Sequence, residues 1–193
     1  MLTVVRHGRT EANRDGRLLG RMDVGLDDVG RAQAAALAQH VGPVDRIVAS
    51  PLRRTRETAD AWAADVDVDE RWIELDYGDY DGLPLRELDA DVWRAWRTDT
   101  GFTPPGGESI EALGERVRAA CHDLRSAARD GHVLVVTHVS PIKAAVAWAL
   151  GVGDEVAWRM YVTPASVTRI AVSDRGVSLH AFNHADHLDG IAD

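Results

Sequence analysis

Two short apolar runs that each end on a histidine constrain the fold of this chain more than any other feature. Residues 2–5 are followed by Arg6-His7-Gly8, and residues 133–136 are followed by Thr137-His138. Runs of mostly β-branched residues without polar interruption are typical of central strands in a sheet that is covered on both faces. The sequence therefore predicts two buried strands that each deliver a histidine to the edge of a sheet.

Predicted helices alternate with these and other short strands. Asp27 and Asp28 provide caps for an alanine-rich helix, and Ser109 caps a long amphipathic helix that runs to Gly131. A strand at residues 46–49 leads into Ser50-Pro51, which predicts an N-cap followed by proline in the first helical turn. A further helix is predicted over residues 141–150, and residues 167–172 and 177–182 predict a hairpin.

This alternation predicts the fold class. It favours a three-layer α/β sandwich, with a mostly parallel central sheet and helices on both faces. The 193 residues fit a single domain spanning residues 1–193, in which residues 84–108 are expected to cap the sheet edge. Trp93, Trp96 and Phe102 lie in that segment.

Charge and cysteine content exclude several classes of protein. The net charge of −9 argues against a general nucleic-acid binder and against a partner on an anionic membrane surface. No apolar stretch approaches the roughly 20 residues of a membrane span. Cys121 is the one cysteine and falls on an apolar helix face, so we expect a core residue in a cytoplasmic protein.

Basic side chains follow three of the predicted strands. Arg6 and His7 follow the first strand, Arg53 and Arg54 the second, and His138 the strand at residues 133–137. Ligands of open α/β sheets bind outside the carboxyl ends of the strands, where helix N-termini present free amides to anions. We therefore expect a phosphate pocket. No metal is expected in it, because the arginines would repel a divalent ion.

Several motifs, in order along essentially the whole chain, resemble those of the histidine phosphatase superfamily, the phosphoglycerate mutase-like phosphatases. The matching stretches are Val5-Arg6-His7-Gly8-Arg9-Thr10-Glu11-Ala12-Asn13, Ser50-Pro51-Leu52-Arg53-Arg54-Thr55-Arg56-Glu57-Thr58, Glu74-Leu75-Asp76-Tyr77-Gly78, Pro105-Gly106-Gly107-Glu108-Ser109 and Thr137-His138. The resemblance implies the phosphoglycerate mutase-like fold and no cofactor. Homodimers are common among such relatives, so a homodimer is one expected assembly.

The resemblance also implies roles for individual residues. His7 would be the nucleophile that forms a phosphohistidine, although spacing alone does not separate it from His138. Arg6, Arg54 and His138 would hold the phosphoryl oxygens, with Asn13 as a further donor. Glu74 would act as acid and then as base, with Asp76 and Asp79 as competing candidates. The expected substrate-side residues are Thr10, Leu19, Gly20, Tyr77 and Val139.

The expected activity is metal-independent hydrolysis of a small phosphorylated metabolite. A phosphoglycerate mutase is the alternative enzyme. The resemblance implies that mutases of the superfamily carry a longer insertion after the residue that matches Glu74, and the short segment of this chain therefore favours hydrolysis. A phosphate-binding scaffold without turnover is the non-enzymatic alternative. The tail histidines, His180, His184 and His187, show no metal-like geometry in the sequence and predict a solvated C-terminus.

Overall fold

A six-stranded sheet forms the centre of the molecule. The computed structural model describes residues 1–191 of the chain. The strands are β1 (Leu2–Arg6), β2 (Arg46–Ala49), β3 (Val66–Val68), β4 (Val133–Thr137), β5 (Val167–Ser173) and β6 (Gly176–His184). Their order in the sheet is β3-β2-β4-β1-β5-β6. The first four strands in this order run parallel, and β5 and β6 form an antiparallel hairpin on β1, so the mostly parallel sheet is confirmed.

Helices cover both faces of this sheet. They are α1 (Glu11–Arg14), α2 (Asp28–Val41), α3 (Arg53–Ala59), α4 (Ala90–Thr98), α5 (Ile110–Asp123), α6 (Arg125–Asp130) and α7 (Val139–Leu150). Val4 and Val135 share one core with α5 and α7, whereas Val5 and Val136 face a second core with α2 and α3. This alternation explains why the strands are apolar throughout. Within residues 1–191, no helix is long and apolar enough to cross a membrane.

Two helix predictions need correction. The helix predicted from Ser109 to Gly131 is divided at Leu124 into α5 and α6, although Ser109 is the N-cap as expected. Ser50 is not an N-cap, because α3 begins at Arg53 and Leu52 occupies the capping position. The carbonyl of Ser50 instead accepts a hydrogen bond from the Thr55 hydroxyl. The Ser50 hydroxyl accepts a long hydrogen bond of 3.4 Å from the Leu52 N–H and lies 2.7 Å from Nε2 of His138.

The register of the parallel strands places the two histidines side by side. Arg6, the last residue of β1, pairs with Thr137, the last residue of β4. Since both strands end at the same level, His7 and His138 both follow at the carboxyl edge of the sheet. β2 lies on the other side of β4 and leads into α3, which carries Arg54. Three chain segments that are distant in sequence thus converge at one edge.

Candidate active site

His7 is buried at the end of β1, and one of its ring nitrogens has no hydrogen-bond partner among residues 1–191. Its side chain Nδ1 lies 2.7 Å from the carbonyl oxygen of Gly8. Because a carbonyl oxygen only accepts hydrogen bonds, Nδ1 carries the hydrogen and Nε2 keeps its lone pair. Burial lowers the pKa of His7 well below the ordinary 6.5, and the positive charges of Arg54 and Arg6 lower it further. The ring is therefore a neutral imidazole with an available nucleophilic nitrogen.

Gly8 fixes the position of this histidine through close backbone packing. A Cβ atom at Gly8 would lie 2.3 Å from the carbonyl oxygen of Gly30 in α2, so no larger residue fits there. The backbone N–H of Gly8 donates to the hydroxyl of Thr58 in α3 at 3.0 Å. The segment after β1 is thus held between α2 and α3.

His138 differs from His7 in having both ring nitrogens engaged. The Nε–H of Arg54 donates to its Nδ1 at 3.2 Å, and its Nε2 lies 2.7 Å from the hydroxyl oxygen of Ser50. Since an arginine only donates, Nδ1 of His138 is an acceptor and Nε2 carries the hydrogen. The rings of His7 and His138 are 5.2 Å apart between centroids. The geometry therefore separates the two histidines, which the sequence spacing leaves equivalent.

Arg54 is fully buried and fastened to a loop after α1. Its terminal nitrogens donate to the carbonyls of Met22 and Gly20 at 2.8 and 2.6 Å. Burial lowers its pKa to about 10, while Glu74 opposes that shift, so the guanidinium stays charged at neutral pH. These bonds use one N–H of each terminal nitrogen. Among residues 1–191 the second N–H of each nitrogen has no hydrogen-bond partner, but Arg54 is not among the residues that line the cavity with Arg6 and His7.

Arg6 directly precedes His7 in the chain and is also buried. Its Nη1 donates to the carbonyl of Val162 at 2.7 Å. Its Nε is buried and has no hydrogen-bond partner among residues 1–191. A buried donor without a partner is unusual in a folded protein and indicates a place for a ligand acceptor. Arg6 and His7 both line a cavity of about 460 Å³.

Glu74 lines the same cavity and is held by the N-terminus of α7. Its carboxylate accepts backbone hydrogen bonds from Val139 at 3.0 Å, from Ser140 at 3.1 Å and from Leu75 at 2.7 Å. These amides are available because α7 begins at Val139, two residues before the predicted start. Pro141 falls inside the first turn, where the lack of an N–H is tolerated. Sequence alone did not place this carboxylate on a helix N-terminus.

The competing acids lie elsewhere. Asp76 accepts from the backbone N–H of Gly78 and pairs with Arg21 at 3.2 Å, whereas Asp79 is exposed. Among the described residues, Glu74 is the acidic residue that lines the cavity with His7. The geometry therefore favours Glu74 for the acid and base role.

The predicted substrate-side residues divide into two groups. Leu19, Asn13, Tyr77 and Val139 line the cavity. Thr10 is instead the N-cap of α1, and its hydroxyl and backbone N–H both donate to Oδ1 of Asn13. This arrangement fixes the Asn13 side chain and leaves its NH₂ group free to donate. Thr10 therefore supports the cavity without lining it.

Gly20 also supports the site from behind. Its carbonyl accepts from Arg54, and its N–H donates to Asp81 at 2.7 Å. The Asp81 carboxylate accepts two more backbone N–H groups, from Arg21 at 2.8 Å and from Met22 at 2.9 Å. Asp81 thus holds the loop whose carbonyls hold Arg54. Nothing in the local sequence marks Asp81 as part of the site.

Aromatic side chains and a lysine form the outer wall of the cavity. Trp93 and Trp96 come from α4, within the predicted cap segment, and they face Trp158 from the other side. Nε1 of Trp96 and Nε1 of Trp158 are buried without a hydrogen-bond partner in the described part of the chain. Lys143 of α7 lies with its Nζ 5.9 Å from the Trp158 ring centroid. Burial lowers the pKa of Lys143, while Glu74 acts in the opposite direction.

The expectation for the tail histidines is wrong for two of the three. His184 ends β6 and His187 lies in a short 3₁₀ helix, and both approach His40 at the end of α2. His180 is exposed on β6 and is not part of this group. The sequence could not reveal the contact, because His40 belongs to a helix far from the other two histidines in the chain.

The fold and this sheet edge define an α/β protein that presents a neutral, nucleophilic imidazole next to buried arginines. Comparison with known proteins then gives the family. Residues 2–185 match the histidine phosphatase superfamily (branch 1), and the chain belongs to this superfamily. The resemblance stated from the sequence motifs is confirmed.

Curated relatives show how far the similarity extends. A bifunctional protein of Mycobacterium tuberculosis is 38% identical over 177 residues, which are 86% of this chain and 49% of that protein. The chain thus spans about half the length of this relative. Phosphoserine phosphatase 1 of Hydrogenobacter thermophilus is 31% identical over 197 residues, covering 97% of this chain and 93% of the relative.

Solved structures agree with the fold over nearly the whole chain. A mutant phosphoserine phosphatase from Entamoeba histolytica in complex with phosphoserine matches with a TM-score of 0.89 at 26% identity, covering 97% of this chain and 98% of the other. A mycobacterial glucosyl-3-phosphoglycerate phosphatase in complex with VO3 matches with a TM-score of 0.85 at 31% identity, covering 95% and 98%. The phosphoglycerate mutase-like fold class is therefore confirmed.

Proposed function

We propose that the protein is a phosphatase that hydrolyses small phosphomonoesters through a phosphohistidine on His7. The observation that carries this proposal is the hydrogen bond from Nδ1 of His7 to the Gly8 carbonyl. It leaves the lone pair of Nε2 free in a cavity lined by Arg6 and Glu74. Family membership supports the same reaction.

In the first step, Nε2 of His7 attacks the phosphorus atom and the bond from phosphorus to the leaving oxygen breaks. The leaving alkoxide takes a proton from Glu74, which lines the same cavity. The unpartnered Nε–H of Arg6 donates to a phosphoryl oxygen, and the buried positive charge of Arg54 further stabilises the transition state. The amide of Asn13 supplies a further donor.

In the second step, water attacks the phosphohistidine. Glu74 takes a proton from that water, the bond from nitrogen to phosphorus breaks, and inorganic phosphate leaves. His7 returns to its neutral tautomer, because the Gly8 carbonyl still holds the hydrogen on Nδ1. Every proton is accounted for within the site, and no step needs a metal ion.

For the substrate class, we propose a phosphomonoester that carries a second acidic group. Lys143 is the only lysine of the chain, and it lines the cavity together with Arg17 beyond the reacting centre. The unpartnered indole nitrogens of Trp96 and Trp158 add donors on the same wall. The cavity of about 460 Å³ fits a small molecule. Relatives named for phosphoserine and glucosyl-3-phosphoglycerate are consistent with a carboxylate in the substrate.

Hydrolysis of p-nitrophenyl phosphate with a chelator present tests the reaction. We expect activity in the wild type and a loss on the order of 10⁴-fold or more in His7→Ala. Quenching of the wild type during turnover with an alkaline denaturant should trap phosphate on a histidine, because the bond from phosphorus to the imidazole nitrogen survives alkali but is hydrolysed in acid. Activity that requires added metal, or that survives in His7→Ala, would contradict the proposal.

A pair of substrates with the same carbon skeleton tests the substrate class. We expect 3-phosphoglycerate to be hydrolysed with about tenfold higher kcat/KM than glycerol 3-phosphate, because the carboxylate gains a charged hydrogen bond. Lys143→Met should abolish this preference. An unchanged preference would exclude the lysine role while leaving the phosphatase proposal intact. Formation of 2-phosphoglycerate faster than inorganic phosphate would indicate the mutase alternative.

A further inference from the structure

Three histidines from two distant parts of the chain meet beside the β5–β6 hairpin. His40 lies in the last turn of α2, His184 ends β6, and His187 follows in the short 3₁₀ helix. One ring nitrogen of each lies within 4.8 Å of those of the other two. We propose that they form a binding site for a divalent transition-metal ion such as Zn²⁺. The site is separate from the phosphatase cavity and does not depend on the proposed activity.

The hydrogen bonds of two of these rings fix their tautomers. Nε2 of His187 lies 3.0 Å from the carbonyl oxygen of Ala165, and Nε2 of His184 lies 3.2 Å from a carboxylate oxygen of Asp186. Because both partners are acceptors, each Nε2 carries the hydrogen in the neutral ring and each Nδ1 has a lone pair. A carboxylate or carbonyl behind a histidine is the usual support of a metal ligand.

The two Nδ1 atoms are buried and have no hydrogen-bond partner among residues 1–191. Buried polar atoms are satisfied in nearly all folded proteins. Since the third member is another imidazole, the cluster offers lone pairs and few donors at its centre. A metal ion satisfies both nitrogens at once.

Two charged side chains, Arg169 and Asp186, lie next to the cluster and affect how His40, the third ligand, binds the ion. Arg169 faces His40, with its Nη2 3.4 Å from Nε2 of that ring, and Asp186 faces His184. The Arg169 contact is long for a hydrogen bond, so the metal replaces a weak partner of His40. Asp186 offsets part of the repulsion between the ion and the guanidinium. The donor set is three imidazoles, which suits Zn²⁺, Ni²⁺ or Cu²⁺ and not Mg²⁺ or Ca²⁺.

Metal binding requires only a small closure of the rings. His40 is stacked on His184 at 5.3 Å and on His187 at 4.7 Å between centroids. Zn–N bonds of about 2.0–2.1 Å in tetrahedral geometry place ligand nitrogens about 3.4 Å apart. Side-chain rotations that move the ring nitrogens by about 1 Å therefore bring all three imidazoles to bonding distance of one ion, with water as the fourth ligand.

The proposed metal site connects the segment that carries His184 and His187 to the backbone beside His7. Ala165 accepts from His187 and donates its own N–H to the carbonyl of His7 at 3.0 Å. An ion that joins His184 and His187 to α2 therefore steadies the segment that supports the end of β1. The expected effect is stabilisation of the native state by mass action.

Titration of the untagged full chain with Zn²⁺ in a calorimeter tests the proposal. We expect one ion per chain and a midpoint of thermal unfolding that rises with Zn²⁺ concentration. Co²⁺ should give visible absorption bands typical of a nitrogen-ligated ion. His40→Ala, His184→Ala and His187→Ala should each weaken binding more than about tenfold. His180→Ala is the matched control and should bind as the wild type does.

Several results would overturn the site. They are no binding, binding that is unaffected by the three substitutions, or binding that falls equally in His180→Ala. If His187→Ala fails to fold by circular dichroism, His184→Gln decides the question. The side chain of His184 is 37% exposed, so this change is tolerated by the fold.

Discussion

Arg54 and His138 are joined by a hydrogen bond of 3.2 Å from the arginine Nε to the histidine Nδ1. The bond makes His138 an acceptor on one side and a donor on the other, where it meets Ser50 at 2.7 Å. Within residues 1–191, His138 contacts only Arg54 and Ser50 through its ring nitrogens, and its Nδ1 positions the buried guanidinium of Arg54. To hold a phosphoryl oxygen as well, its Nε2–H must exchange the Ser50 hydroxyl for the substrate.

This exchange leads to the first prediction. His138→Ala removes both the support of Arg54 and the Nε2–H donor, so kcat/KM should fall by about 10²- to 10³-fold. Ser50→Ala removes the partner that the substrate replaces, together with a long contact of 3.4 Å from the Leu52 N–H, so kcat/KM should change less than about fivefold. Steady-state kinetics on p-nitrophenyl phosphate measure both. Equal losses in the two variants would show that His138 acts through Ser50 and not on the phosphate.

The second prediction concerns the carboxylate behind the loop of residues 20–22. Asp81→Ala leaves three backbone N–H groups without their acceptor and frees the carbonyls that hold Arg54. We expect kcat/KM to fall about tenfold or more, with a weaker inhibition constant for inorganic phosphate. The exposed Asp79, two residues earlier, is the matched control, and Asp79→Ala should keep wild-type kinetics. An unchanged phosphate inhibition constant in Asp81→Ala would contradict this role.

The third prediction separates the acid role of Glu74 from a purely structural one. Glu74→Gln keeps the size of the side chain but cannot transfer the proton to the leaving oxygen. Turnover of alkyl phosphates should therefore slow by about 10²- to 10⁴-fold, whereas p-nitrophenyl phosphate, whose leaving group needs little protonation, should slow far less. A series of aryl phosphates of graded leaving-group pKa measures the difference. Equal losses across the series would count against an acid role.

The fourth prediction follows from the pKa values of His7 and His138. Burial and then Arg54 lower both well below 6.5, so the native state stays unprotonated where the unfolded chain takes up protons. The contribution of these two histidines to the free energy of unfolding should therefore be fully present above about pH 6.5, and it should fall as the pH drops below that value. Each histidine contributes a slope of up to about 1.4 kcal/mol per pH unit.

Urea unfolding between about pH 5 and pH 7.5 measures this slope. His138→Gln should reduce the pH dependence of the free energy of unfolding relative to the wild type, since it removes one linked proton. A wild-type slope in His138→Gln would show that other groups bind the protons.

The elements that could be predicted are those whose signal is local. Residues 2–5 and 133–136 predict central strands from composition alone, and their shared histidine ending predicts a site at one sheet edge. The distinct roles of His7 and His138 are not local. They depend on partners 84 and 88 positions away in the chain for His138 and on one carbonyl, that of Gly8, for His7.

The residues that sequence reasoning missed act through backbone groups or through distant side chains. Asp81 binds the amides of a loop about sixty positions earlier, and amides carry no side-chain signature in a sequence. His40 and His184 belong to a helix and a strand that are distant in the chain, so no local pattern pairs them. Ser50 precedes a proline and so predicts a helix N-cap, whereas its hydroxyl lies 2.7 Å from Nε2 of His138, which follows the neighbouring strand β4.

The aromatic wall of the cavity gives the protein an internal optical signal. Trp93, Trp96 and Trp158 are three of the six indoles of the chain, and all three line the cavity in which we propose that substrate binds. Indole emission responds to nearby charge and to displaced water, so occupancy of the cavity alters the intrinsic fluorescence without any label. A chain that lacks the nucleophile can thus report, by light alone, which intact phosphate esters it holds.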